Sequence, residues 1–312
     1  MSLIFVIMNN MTVKMFNLWY FIFLINCFTI LFVLYLILRR FNKKTQYWIL
    51  FGILMFSLLL HFTKNLFPPY SIDKPRLLRD SWFINICGAN IGLFPFFYLS
   101  KSKAAKDYMF YLGTLGGLIA IFFPLEVLQK TDCVQDIFDI LRFYWHHLML
   151  FAVPFFMLIF KIHTLDHKRI WQMPIWLMGV CAFCMLNQVL QSELGFINLR
   201  GSDIHDINYK DSSMVWNPPK IGFVDFFIPK FMKTIPFGPH AGEEKYWPLL
   251  WATVPLYVFF VPLCFGLCFI FDKQNIKKDY KLFFQTMKKN FQTIKKNLKK
   301  TIKKLKKRKK RK

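Results

Sequence analysis

Two adjacent histidines and an arginine lie inside an apolar stretch, LRFYWHHLML, as His146, His147 and Arg142. Titratable side chains are costly in hydrocarbon, so they usually face a partner, a cavity or water. A histidine can take a proton from a nucleophile, and an arginine can bind a phosphate. A second apolar stretch, INICGAN, contains Cys87. A thiol with a histidine base is a nucleophile suited to acyl transfer, so Cys87 with His147 or His146 is the candidate catalytic group.

Further polar side chains accompany these groups. Asn85 and Asn90 flank Cys87 and are candidate oxyanion donors. The other candidates for substrate contacts are Glu126, Asn187 and Gln188. Taken one at a time, such residues are more often packing residues, interhelical hydrogen bonders or members of an interfacial belt. Their shared depth in the membrane favours a functional pocket.

The elements that must position these groups are membrane-spanning helices. Of the 312 residues, 55% are apolar and 39 are phenylalanine, and the apolar residues come in blocks with polar punctuation. Blocks of about 20 residues match a hydrocarbon thickness of about 30 Å. We predict an all-α polytopic membrane domain over residues 1–271. Its seven spans are 18–38, 46–62, 82–99, 108–128, 141–162, 170–191 and 246–271.

Spans three and five run in the same direction, and Cys87 and His146 each lie five residues past their span's start. That equal depth permits contact between spans. Arg142 and His146 are i,i+4 neighbours on one helix face. Most intramembrane polar residues fall in the outer halves of the spans, whereas 94–99, 148–160 and 256–271 are apolar apart from cysteines. This asymmetry predicts an outward-facing polar cavity.

Loop charges predict the orientation. The first, third and fifth loops carry basic residues: Arg39, Arg40, Lys43 and Lys44; Lys101, Lys103 and Lys106; and Lys161, Lys168 and Arg169. The fourth loop carries Asp132, Asp136 and Asp139 against Lys130. The positive-inside rule then places the N-terminus outside and the C-terminus in the cytoplasm, in a plasma membrane. The second loop does not fit this orientation, because it would lie outside yet carries the basic residues Lys64, Lys74, Arg76 and Arg79.

We expect no metal site and no cofactor. The pairs Cys181/Cys184 and Cys264/Cys268 have helical spacing but no histidine or carboxylate ligands on their helices, which favours packing roles. The long outer loop, 192–245, contains SDIHD at 202–206, which we interpret as a solvated turn. It also contains the aromatic run GFVDFFIPKFM at 222–232, interpreted as a segment folded back on the bundle.

Residues 272–312 form a basic tail, with 19 Lys and Arg against Asp272 and Asp279. Its near-repeat, FQTMKKN then FQTIKKN, places apolar residues every three or four positions, as in an amphipathic helix. Because the helix is already tethered to the membrane, we expect it to bind anionic lipids of the inner leaflet. A coiled coil or a nucleic-acid contact is the less favoured alternative.

The motifs INICGAN, YLGTLGGLIAIFFP and RFYWHHLMLF, followed by Asn208–Tyr209 and downstream prolines, resemble the YwaF family of bacterial membrane proteins. That family is similar to animal multi-pass proteins with a phospholipid acyltransferase activity that depends on a cysteine and a histidine. The resemblance covers about 82–251 and implies roles for Cys87 and for His147, with His146 as its neighbour. The family's proline-rich approach to the cysteine is replaced here by INI.

Three functions follow from these patterns. The first is lipid acyl transfer or hydrolysis, in which Cys87 carries the acyl group, a histidine is the base and Arg142 holds a phosphate. The second is transport or binding of a small solute by the same polar cluster, although we find no inverted repeat in the sequence. The third is a membrane scaffold that acts through its basic tail.

Overall fold

The computed structural model describes residues 12–128, 133–197, 213–218, 222–235, 238–239 and 241–309. Its long helices are α1 (Leu18–Leu38), α2 (Lys43–Phe62), α3 (Ile86–Leu99), α4 (Lys103–Phe122), α5 (Cys133–Ile159), α6 (Met173–Glu193) and α7 (Val261–Lys309). Short helices occupy Lys74–Asp80, Leu125–Leu128, Gly222–Phe226 and Thr253–Pro255. Tighter turns lie at Thr63–Leu66, His167–Gln172, Lys230–Met232 and Leu250–Ala252, and a π-helical turn lies at Leu256–Phe260.

Among the residues that the structure describes, six regions are long and apolar enough to cross a membrane. The seventh apolar helix, α3, has 14 residues. At the usual helical rise that is about 21 Å, less than a full hydrocarbon thickness. Within the described ranges the only β-type pairing is a single bridge between Thr234 and Glu244. The predicted all-α multi-pass fold is therefore confirmed, with six candidate spanning helices and one shorter apolar helix among the described residues.

The third span begins later than its hydropathy predicts. Residue 82 was the expected start, but α3 begins at Ile86 because the Asn85 side chain caps it, accepting a hydrogen bond from the Gly88 amide at 2.6 Å. The Phe83 ring folds back over Gly92, where a Cβ would lie 2.8 Å from the ring. Hydropathy measures how apolar a segment is, so it does not show where a capping residue starts the helix.

Contacts between helix ends show that successive long helices alternate in direction. The Tyr20 hydroxyl at the start of α1 donates to the Phe122 carbonyl at the end of α4, at 3.0 Å. At the opposite end, the Tyr98 hydroxyl late in α3 donates to the Tyr47 carbonyl early in α2, at 2.8 Å. We call the first end the outer end and the second the inner end, after the predicted orientation.

Helices α4 and α5 are packed very closely through two glycines of α4 spaced by four residues. A Cβ on Gly113 would overlap the Leu150 carbonyl oxygen, and one on Gly117 would lie 2.7 Å from the His147 carbonyl oxygen. Small residues at this spacing let the backbones of membrane helices approach each other. The glycine pair therefore sets the position of the α5 turn that carries His147.

Substituting Gly113 by alanine is expected to destabilise the bundle by about 1–3 kcal/mol, because the new methyl group meets backbone and not a flexible side chain. The neighbouring Gly116 provides a matched control, since nothing lies within 4 Å of its Cβ position. Gly116→Ala should be neutral or stabilising, since alanine is the better helix former. Thermal unfolding of both variants in detergent measures the difference, and equal melting temperatures would contradict the packing described.

A buried charged cluster closes the inner end. Asp107, fully buried on α4, accepts hydrogen bonds from the Arg169 guanidinium at 2.5 and 3.1 Å. The His163 ring nitrogen Nε2 lies 2.6 Å from the same carboxylate. Segments 94–99, 148–160 and 256–271 are apolar in sequence, but charged residues just beyond the predicted span ends pack into this end of the bundle. The polar groups are thus not confined to the outer half.

The first turns of the basic tail rest on the inner loop that precedes α6. Helix α7 runs continuously from the last span and bends at Asp272, whose φ is −125° and ψ 25°. Lys168 Nζ lies 2.5 Å from an Asp279 oxygen, and His167 Nδ1 lies 3.8 Å from Asp272. Both acidic residues of the tail are therefore held by this loop.

Described parts of the outer loop pack on the bundle. The residues of 213–218 include Val215 and Trp216, both buried. The segment 222–232 contacts the start of the last span through Val224 and Ile228, which pack against Trp251. Hydrogen bonds from Lys233 and Tyr246 lower the pKa of Asp225 in the same segment. The SDIHD motif, the Asn208–Tyr209 pair, Lys130 and Asp132 lie outside the described residues.

Candidate functional site

Cys87 lies in the first turn of α3 and is partly exposed. Amide N–H groups of a helix's first turn lack intrahelical partners and carry a partial positive charge. The side chain of Asn85, which was predicted to be an oxyanion donor, instead caps the helix by accepting a hydrogen bond from the Gly88 amide.

Asn90 lies one turn after Cys87 on the same helix face and is 2% exposed. Its Oδ1 accepts a hydrogen bond from the Tyr108 hydroxyl of α4 at 3.2 Å. Because this bond engages the oxygen, the amide NH₂ of Asn90 keeps its donors for another acceptor. Tyr108 also interacts electrostatically with Cys87, Cys181 and Cys184, so α3, α4 and α6 meet here.

His147 is 7% exposed, and its ring is fixed by a single bond to its own helix. Nδ1 lies 2.8 Å from the Phe143 carbonyl oxygen, and since a carbonyl only accepts, Nδ1 must be the protonated nitrogen. The neutral imidazole then has its lone pair on Nε2, which makes no hydrogen bond within the described residues. His147 thus has the tautomer of a general base.

His146 differs from its neighbour because both of its ring nitrogens are engaged. Nε2 lies 3.0 Å from the Ser57 carbonyl oxygen of α2, and Nδ1 lies 3.5 Å from Nη1 of Arg142. The carbonyl requires a proton on Nε2, which leaves Nδ1 as the acceptor for the guanidinium. His146 is therefore a link between α2 and α5 in this structure.

Arg142 turns into the protein instead of reaching out to the interface. Its side chain is 10% exposed and pairs with Asp139, to which Nε donates at 3.1 Å. Nη2 also donates to the Tyr70 hydroxyl at 3.2 Å. The phosphate contact predicted for Arg142 stays a prediction, and a phosphate would compete with Asp139 for the guanidinium.

Tyr70 is the centre of the outer charged cluster, which we define as Lys64, Tyr70, Arg76, Asp139 and Arg142. The three cations lie over its ring, at 5.3, 5.2 and 5.7 Å from the centroid. Burial raises the pKa of Tyr70, so its hydroxyl keeps the proton that it donates to Asp139 at 3.0 Å. Arg76 also approaches Asp139, at 3.5 Å.

Contacts of this kind account for three of the four basic residues of the second loop, Lys64, Arg76 and Arg79. Lys64 donates to the Asp80 carbonyl, and Arg79 Nε pairs with the Asp80 carboxylate at 2.7 Å. Together with the Arg76–Asp139 pair, these interactions hold three cations of the second loop against acceptors at the same end of the bundle. Paired cations are a weaker guide to topology than unpaired ones, and Lys168 and Arg169 of the fifth loop are also paired. The orientation itself stays a prediction.

The three other residues predicted to contact a substrate lie in different surroundings. Glu126 is exposed on the one-turn helix after α4 and interacts electrostatically with both Cys87 and Arg142. Asn187 bonds to the Phe183 carbonyl of its own helix at 2.8 Å. Gln188 receives a hydrogen bond from the Trp216 indole at 2.6 Å and donates to the carbonyl of Ile84 at 2.9 Å.

Gln188 therefore ties a segment of the outer loop to the chain just before α3. Its Nε2 also donates to Ser213 at 3.0 Å, so both sides of the amide are engaged. This makes Gln188 a clamp that holds 213–218 near the first turn of α3. The role predicted for it, a substrate contact, stays a prediction.

The structure brings α3 and α5 into direct contact and joins Arg142 to His146. Within the described residues no hydrogen bond connects Cys87 to either histidine. Sequence reasoning missed Tyr108, which orients Asn90, and the inner cluster around Asp107. Tyr108 is the first residue of the predicted fourth span. Its position on a glycine-rich helix was the one sequence signal that could have pointed to its role.

A bundle of hydrophobic helices with polar groups buried between them defines a multi-pass α-helical membrane protein. A model of the TMEM164 family matches residues 11–214, more than half of the chain, so the chain belongs to that family. The match includes Cys87, both histidines and Arg142, and it ends before the last span and the tail. No curated protein and no solved structure matches the chain.

Proposed function

We propose that the protein transfers an acyl group from a membrane lipid to another lipid or to water, through a thioester on Cys87. The observation that carries the proposal is the hydrogen bond from His147 Nδ1 to the Phe143 carbonyl, which leaves the Nε2 lone pair available as a base. Cys87 at the first turn of α3 and Asn90 oriented by Tyr108 supply a nucleophile and an oxyanion donor. The predicted likeness to the YwaF family agrees with this chemistry.

In the proposed reaction His147 Nε2 takes the Cys87 proton as the sulfur attacks the ester carbonyl of a lipid. The tetrahedral intermediate collapses to the thioester, and the departing alkoxide takes the proton from His147. A lipid hydroxyl or water then gives its proton to His147 as it attacks the thioester, and the thiol is restored. Cys87 and His147 must come within hydrogen-bond reach when a lipid binds, as catalytic pairs often do only in the bound state.

The thioester can be trapped directly. The full chain in nanodiscs is incubated with phosphatidylcholine bearing an alkyne-tagged acyl chain, quenched in acid and digested for mass spectrometry. We expect an acyl adduct on Cys87 that neutral hydroxylamine removes. Cys87→Ala should lose it, whereas the matched variant Cys181→Ala should keep it. Lipid turnover without this adduct would refute the thioester, and neither turnover nor adduct would favour solute binding or transport.

We also propose that the tail lies on the anionic inner leaflet. Its apolar side chains share one helical face, and Tyr280, Phe284, Met287, Phe291 and Ile294 are 55–70% exposed. Because His167 and Lys168 hold its two acidic residues, the rest of the helix is purely basic. A basic amphipathic helix at a membrane surface gains about 1 kcal/mol per basic residue near anionic lipid.

Trypsin protection tests this placement in the full chain. In nanodiscs with phosphatidylglycerol we expect slower cleavage after residue 280 than in pure phosphatidylcholine. The double variant Phe284→Ser/Phe291→Ser should lose the protection because it removes the apolar face. Thr286→Ser/Thr293→Ser is the matched control and should keep it. Cleavage that does not depend on lipid charge would contradict the proposal.

A further inference from the structure

A second feature of the outer half is a crevice of about 280 Å³ between α1, α2 and α5. Phe23, Phe56, Leu141 and Trp145 are among its lining residues, and Phe56 and Leu141 are 47% and 49% exposed at its mouth. Its walls are side chains of transmembrane helices, so the crevice opens sideways toward lipid. The crevice lies on a different face of α5 from the one that packs His147 against Gly117.

Most of the crevice wall is apolar, and its polar side chains include Asn26, Arg142 and Tyr144. Phe138 and Leu141 precede Arg142 on α5, so apolar side chains also line the outer part of the crevice. Because α1 and α5 both run inward from the outer end, Ile30 and Leu148 are the deepest lining residues of these two helices. An apolar crevice with a few polar side chains and an apolar deep end matches one alkyl chain that carries a polar group.

Two polar groups of the crevice lack partners. The Tyr144 hydroxyl is buried, on a side chain that is 4% exposed, and makes no hydrogen bond to the part of the chain that the structure describes. Asn26, well inside α1, makes no hydrogen bond within the described residues although its side chain is exposed. Unsatisfied polar groups cost several kcal/mol in hydrocarbon, so their presence here points to a ligand that supplies an acceptor.

We propose that this crevice binds one acyl chain of an outer-leaflet glycerophospholipid. The ester carbonyl would accept hydrogen bonds from Asn26 and Tyr144, and the alkyl chain would descend toward Ile30 and Leu148. The glycerol and phosphate end of the same molecule would lie at the level of Arg142, whose guanidinium stays bonded to Asp139 and Tyr70. The crevice volume admits a single chain, so the second chain of the lipid stays in the bilayer. Lipid binding here does not require acyl transfer.

Photolabelling of the full chain tests the site. The protein is placed in phosphatidylcholine nanodiscs that contain a trace of phosphatidylcholine with a mid-chain diazirine, irradiated and mapped by mass spectrometry. We expect adducts concentrated on 23–30, 56–60 and 141–148. Ile30→Trp fills the lower crevice and should reduce labelling of these peptides about tenfold. Ile25→Trp is the matched control, since Ile25 is 64% exposed on the same helix and does not line the crevice.

Adducts spread evenly over the lipid-facing helices would overturn the proposal, as would equal labelling of Ile30→Trp and Ile25→Trp. If Ile30→Trp does not fold, Asn26→Leu serves instead, because it removes the amide without filling the space and should also weaken the labelling. Cys87→Ala abolishes the proposed acyl transfer but should leave the labelling unchanged. The lipid-binding proposal and the catalytic proposal can therefore be refuted independently of each other.

Discussion

Replacing Asp139 by alanine is expected to lower the free energy of unfolding by about 3–5 kcal/mol, the usual cost of leaving a buried charge without its partner. The Asp139 side chain is 1% exposed and serves Arg142, Arg76 and the Tyr70 hydroxyl at once. Its loss leaves two guanidinium groups beside the Lys64 ammonium around one aromatic ring. Equilibrium unfolding in detergent measures the change.

Asp136 is the matched control for this prediction. It lies one turn earlier on α5, is 14% exposed and meets Arg76 at 3.8 Å. Asp136→Ala should cost about 1 kcal/mol or less, as partly exposed pairs do. The double variant Asp139→Leu/Arg142→Leu should recover much of the loss, since apolar replacement of a whole buried pair is often neutral. Equal costs for Asp136→Ala and Asp139→Ala would show that the outer charged cluster is not a stabilising unit.

The multi-pass fold was predictable because it depends on a property that local sequence carries. Apolar blocks long enough to cross the hydrocarbon must form helices, since every backbone group has to be bonded within the segment. The start of α3 was predicted wrongly for the same reason: the Asn85 cap contributes little to average hydropathy, yet it determines where the helix begins. Hydropathy thus finds spans better than it finds their ends.

The sequence singles out the polar residues of the candidate site but does not show which partners they have in the structure. Equal depth along parallel spans permits contact between spans three and five, and α3 and α5 do touch in the structure. Which way Arg142 turns depends on Asp139 one turn away and on Tyr70, which is 72 residues distant in sequence. Gln188 is also held by a distant loop segment. Pairings over such separations depend on the tertiary packing, and no local pattern encodes them.

The two adjacent histidines provide the sharpest test of the catalytic proposal, because their ring nitrogens have different hydrogen-bond partners in the structure. His147→Gln is expected to lower the rate of acyl transfer by about 10²–10⁴-fold, the usual contribution of a general base. Glutamine has no group that can accept the Cys87 proton. The rate is measured as release of labelled lysophospholipid from phosphatidylcholine nanodiscs, per folded protein.

His146→Gln is the control with the same substitution one residue away. Glutamine can still donate to the Ser57 carbonyl and accept from Arg142, so the link between α2 and α5 survives and the rate should fall by less than about tenfold. Added imidazole should partly restore His147→Ala, because the small molecule can occupy the vacated space and take the proton. A purely structural histidine would not respond in that way. Equal losses for both glutamine variants, without imidazole rescue, would remove His147 from the chemistry and leave the Phe143 hydrogen bond as a packing feature of α5.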